Sequence, residues 1–118
     1  MNWQALHERY MRDQWPVRLG NLASTLGRVT QRANNPNASE AVAASLREAM
    51  WLIEWNVRDT PQEVLIELAP MQSELGLWWR GWNTVVQSPD LRRLLARRAR
   101  AMSDRVLELS GLLHQPPA

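Results

Sequence analysis

Apolar residues recur along this chain three and four positions apart, in four separate stretches, and strand-like alternation is absent. Leu19, Leu22, Leu26 and Val29 make one stripe. Val42, Leu46, Ala49, Ile53 and Val57 make a second. Leu65, Leu68, Leu75, Trp79, Trp82 and Val86 make a third, and Leu91, Leu95, Met102, Val106, Leu109 and Leu113 a fourth. Helix-breaking residues separate them. Asn34-Asn35-Pro36-Asn37 reads as a loop, and Asn37-Ala38-Ser39-Glu40 opens the helix after it. Thr60-Pro61-Gln62-Glu63 has the form of a capping box, with Thr60 as N-cap and Pro61 first in the helix. Ser88-Pro89-Asp90 repeats that logic, with an acid in the electropositive first turn.

Two prolines modify the pattern. Trp3, Leu6 and Tyr10 form a stripe out of phase with Leu19-Leu22-Leu26, which predicts a break near Trp15-Pro16 and a separate short helix over 2–14. Pro70 lies inside the third stretch and predicts a kink near Leu68-Ala69. The expected helices are 2–14, 16–33, 38–57, 61–87 and 89–113. They predict an all-α fold, a four-helix up-and-down bundle with an additional short N-terminal helix. Residues 1–114 are expected to form one helical-bundle domain, with 115–118 as a C-terminal tail.

Composition removes several chemistries. The 118 residues include no Cys, which excludes disulfides, thiolate metal sites and thiol nucleophiles. All 14 basic residues are Arg, so side-chain Schiff bases and a Gly-Lys-Ser/Thr phosphate loop are excluded too. His7 and His114 have no acid at a metal-ligand spacing beside them, and no catalytic, metal or cofactor site is expected. No run approaches the roughly 18 apolar residues of a membrane span, and the N-terminus lacks the pattern of a secretory signal. The expectation is a cytoplasmic protein with no membrane partner.

The net charge of +2 is unevenly spread. Residues 1–39 carry five Arg against Glu8 and Asp13, residues 40–79 carry seven acids against Arg47 and Arg58, and residues 80–118 carry seven Arg against three acids. The densest cluster gives helix 89–113 an Arg-rich face of Arg92, Arg93, Arg97 and Arg100. That face fits phosphate or nucleic acid, or a solvated surface partly neutralised by Asp104 and Glu108. Arg98 and Arg105 fall within or beside the apolar stripe of the same helix. They are expected as interhelical ion pairs, Arg98 near Trp79 and Glu40, Arg105 near Glu48 or Glu74.

Besides the two His, seven Trp and one Tyr supply all the aromatic side chains. Trp79 and Trp82 fall on the third stripe and are expected in the core. Trp51 and Trp55 lie four apart on helix 38–57, nearly opposite its Val42-Leu46-Ile53 stripe. That helix therefore has two apolar faces, and one bundle interior covers only one of them. Ile66 and Leu77 also point away from their main stripe and extend such a patch. Either Trp3, Leu6 and Tyr10 cover the second face within the chain, or the surfaces meet across a two-fold axis. The function expected is a non-enzymatic protein-interaction module, a homodimer or assembly subunit, with Trp51, Trp55, Trp3 and Tyr10 contacting the partner. The alternatives are nucleic-acid or phosphate binding by the Arg-rich face, and a small-anion binder or enzyme with a pocket around Arg98, Trp79 and Trp82.

Overall fold

Helix boundaries in the computed structural model, which describes residues 2–114, follow from local chemistry at each end. The Asn2 side chain accepts a hydrogen bond from the Ala5 N–H at 3.0 Å and opens α1, Trp3–Met11. The chain turns over Arg12–Gln14 and restarts as α2, Trp15–Arg32, with Pro16 in the first turn, where its missing N–H costs nothing. A 3₁₀ turn, Pro36–Ala38, leads into α3, Ser39–Glu54. Then come α4, Gln62–Arg80, a short α5, Trp82–Val85, and α6, Pro89–Ser110. Ser88 caps α6 by accepting from the Leu91 N–H at 3.2 Å. Gly111 ends it at φ +73°, a left-handed conformation that favours glycine. The described residues contain six α-helices, two 3₁₀ turns and no strand. The expected tail at 115–118 lies outside the described residues.

The helices pack by their apolar stripes. Leu19, Leu22, Leu26 and Val29 of α2 are buried against Leu95, Ala99, Met102 and Val106 of α6, with Val42, Leu46, Ala49 and Ile53 of α3 closing the core. The α2–α6 contact is the most extensive between helices. Gly20 of α2 faces Leu112, in the 3₁₀ turn that follows α6, and a methyl group there would sit 3.1 Å from a Leu112 side-chain carbon. Further along, the Ser103 hydroxyl donates to the Ala23 carbonyl at 2.7 Å. Contacts run in opposite directions along α2 with α3 and along α3 with α4. Arg28 meets Glu48 at 3.1 Å while Arg18 meets Asn56, and Gln72 donates to the Met50 carbonyl while Arg47 reaches Trp79.

Several sequence expectations need correction. α3 stops at Glu54, so Val57 does not continue its stripe and is exposed. The expected helix 61–87 is divided at Gly81 into α4 and α5, with Pro70 inside α4. Beyond it Val85, not Val86, is the buried residue. Thr60 does not cap α4: its hydroxyl donates to Asn56 Oδ1 at 3.3 Å, inside the protein. Leu113 is exposed rather than part of the α6 stripe.

The two expected interhelical Arg pairs form, but with other acids and nearer the surface. Arg98 is held by both carboxylate oxygens of Glu74, at 2.9 and 2.7 Å, and Arg105 by both of Glu67, at 2.8 and 2.7 Å. Both pairs join α4 to α6 rather than reaching α3, because α4 and α6 are directly adjacent there. Each Arg holds its carboxyl below the usual carboxylate range, chiefly through hydrogen bonding; partial desolvation opposes this. The Trp78 N–H, 3.1 Å from Glu74, adds to the effect. Between the lowered folded values and the ordinary 4.5, the unfolded chain binds more protons than the folded one. The stability from these pairs is therefore complete above about pH 4.5 and is lost as pH falls through the folded values. A Glu67→Gln/Glu74→Gln variant should melt slightly lower at neutral pH and show a shallower acid decline. Melting curves from pH 7 to pH 3 check this, and parallel declines would contradict it.

Candidate functional site

Five aromatic rings gather where α1 crosses the C-terminal half of α3. Trp55 is the centre: its ring lies 6.4 Å from Trp3, 4.9 Å from His7, 6.0 Å from Tyr10 and 6.0 Å from Trp51. Several of these contacts are tilted or edge-on, the geometry that aromatic quadrupoles favour. α1 thus covers Trp55 within the chain. Tyr10 is buried and leaves the expected contact surface. Its hydroxyl donates to the Arg18 carbonyl at 3.0 Å and accepts from the Asn56 amide at 2.7 Å. Burial pushes that hydroxyl well above its usual pKa, against the opposing pull of Asn56 and Arg18.

Trp51 has a different environment. It remains 42% exposed and lines a groove between α3 and α4 with Arg47, Met50, Glu54, Gln72 and Trp79. The groove has a volume of about 430 Å³. Trp79 was expected in the core, yet it is 39% exposed. It lies seven residues after Gln72, on the α4 face turned to α3, and so meets Arg47. The Arg47 guanidinium lies 5.2 Å from the Trp3 ring centroid and 6.0 Å from that of Trp79, within cation–π range of both. Trp3 is half-buried beneath it. Ile66 and Leu77 on the outer side of α4 are each 65% exposed.

The Arg-rich face of α6 is only partly available. Arg92 turns inward, donating to the Val86 carbonyl at the end of α5, with its Nε buried and unpartnered. Arg93 pairs with Asp90, and Arg100 lies 3.8 Å from Asp104. Arg92 and Arg97 have no ion pair among the described residues, and Arg97 alone of the four has no side-chain hydrogen bond there either. Nor does Arg98 open onto a polar pocket with Trp79 and Trp82. The groove beside it is lined by Leu77, Trp78, Val85, Leu94 and Glu74, and Glu74 already neutralises it.

The buried Arg of this protein is Arg18, which the sequence reading missed. It is 1% exposed and bridges three segments. Its Nε donates to Asn56 Oδ1 at 3.0 Å, its Nη1 to the Asp13 carbonyl at 3.0 Å, and it forms an ion pair with Asp59. The sequence held a signal, since Arg18 lies four residues before Leu22 on the α2 stripe. Among the described residues no three His, Asp or Glu side chains gather to hold a metal ion, and no helix is long and apolar enough to cross a membrane. Compared with known proteins, the chain matches no family model, no curated protein and no solved structure.

Proposed function

We propose that the chain is a protein-interaction module, a four-helix up-and-down bundle carrying α1 as an extra short helix, that self-associates through the exposed part of α3. The opposed contact registers of α2 with α3 and of α3 with α4 support the bundle topology. One observation carries the functional reading: Trp51 stays 42% exposed after α1 has covered its neighbour Trp55. An exposed indole beside a second exposed indole, Trp79, and a methionine is the composition of an interface anchor. Trp51 is the central contact, with Trp3 and Trp55 as its backing. Nucleic-acid or phosphate binding by α6 has less support, because three of its four Arg already have partners within the chain.

Light scattering coupled to size exclusion tests the proposal. At micromolar concentration the protein should run at twice the chain mass. Trp51→Ala should weaken association by about thirtyfold, corresponding to the ~2 kcal/mol of an interface hot spot. A monomer at every concentration up to the solubility limit refutes self-association.

A further inference from the structure

Two opposite charges bracket Trp51. Arg47 lies four residues before it and Glu54 three residues after it, and all three are exposed and line the same groove. Among the described residues neither charge has an ion-pair partner. Arg47 rests on two indoles, and Glu54 accepts only the Gln72 amide, at 3.0 Å. Seven residues separate them, about 10.5 Å along the helix axis. A two-fold contact requires that if one position meets a second, the second also meets the first. We propose that a second copy of this chain docks with its α3 antiparallel to the first, the axis passing beside Trp51. Arg47 of each copy then pairs with Glu54 of the other.

The charges select this arrangement. A parallel docking sets Arg47 against Arg47 and Glu54 against Glu54, two repulsions beside the apolar centre. The antiparallel register turns both into attractions and brings the two Trp51 indoles together between them. Ion pairs around a desolvated aromatic centre fix register and exclude wrong partners more than they add affinity.

This inference rests on self-association through α3, and its test separates the two. Arg47→Glu and Glu54→Arg are made singly in the full chain, with circular dichroism confirming folding. Their masses are measured alone and as an equimolar mixture by analytical ultracentrifugation. Each variant alone faces its own copy with two like-charge contacts and should dimerise at least about tenfold more weakly than wild type. In the mixture both contacts become attractive, so a dimer holding one chain of each kind should re-form. If Trp51→Ala dissociates the dimer but neither charge variant does, the antiparallel register is wrong while self-association stands. If both charge variants are monomeric and mixing restores nothing, the register is again wrong. A monomeric wild type overturns both, and a dimer unaffected by all three substitutions places the interface elsewhere.

Discussion

Replacing Arg18 with alanine is expected to destabilise the fold by about 3 kcal/mol and to lower the melting midpoint by roughly 10 °C. The size follows from what the guanidinium leaves behind. The Asp13 carbonyl loses its donor from Arg18, and Asn56 Oδ1 keeps only the long contact from Thr60 at 3.3 Å. Each buried polar group left unpaired costs about 1–3 kcal/mol, and the space vacated by the side chain adds to that. The network also ties the end of α1 and the start of α2 to the α3–α4 connection, so its loss loosens three segments together. Asp59 is different, being 57% exposed. Asp59→Asn keeps a solvated acceptor there and should cost clearly less. Arg18→Met retains most of the aliphatic stem and should fall between the two. Urea and thermal midpoints order the three variants. A midpoint for Arg18→Ala equal to wild type would show that the network contributes nothing.

The legible parts of the fold are those in which one helix face decides the outcome. α2 and α6 bury a single stripe against each other, and Leu19, Leu22, Leu26, Leu95, Met102 and Val106 are all readable from spacing alone. Ser88 and Pro89 mark a helix start that depends only on local hydrogen bonding. α4 is less legible because it touches α3 on one side and α6 on another. Trp79 counts as apolar in any periodic pattern, but its burial depends on which neighbour it faces. Polar networks are harder still. Thr60 has the sequence of a cap, yet Asn56, four residues before it in the α3–α4 connection, draws its hydroxyl inward. Arg18 occupies a stripe position, and only the surrounding carbonyls, Asn56 and Asp59 show that a charge is tolerated there. Arg98 and Arg105 sit at the flank of their stripe instead, where partly exposed acids on α4 reach them. Of the candidate contact surface, the second apolar face of α3 is legible. Its division into a covered Trp55 and an open Trp51 depends on where α1 docks, which no spacing in α3 encodes.

Trp51 and Trp55 should therefore behave oppositely when each is replaced by alanine. Trp55 touches Trp3, His7, Tyr10 and Trp51, and its removal takes away most of what α1 rests on. Truncating a fully buried Trp costs about 3–5 kcal/mol; for this half-buried ring about 2–3 kcal/mol is expected. Tyr10 lies in the Arg18 network, so the loss should spread to the α1–α2 turn, and the backbone amides of α1 should exchange faster than those of α2 and α6. Trp51 makes fewer contacts within its own chain, and Trp51→Ala should change the stability of the monomer by no more than about 1 kcal/mol. Its effect belongs to association. Dimer formation raises apparent stability with protein concentration, so the wild-type midpoint should rise with concentration, and that of Trp51→Ala should begin to rise only at about thirtyfold higher concentration. Trp55→Ala should start from a lower midpoint in dilute solution. Urea denaturation at several protein concentrations, with hydrogen exchange on α1, measures both effects. If Trp51→Ala proves the more damaging substitution in dilute solution, the exposed indole supports the fold itself, and the case for a contact surface on α3 collapses.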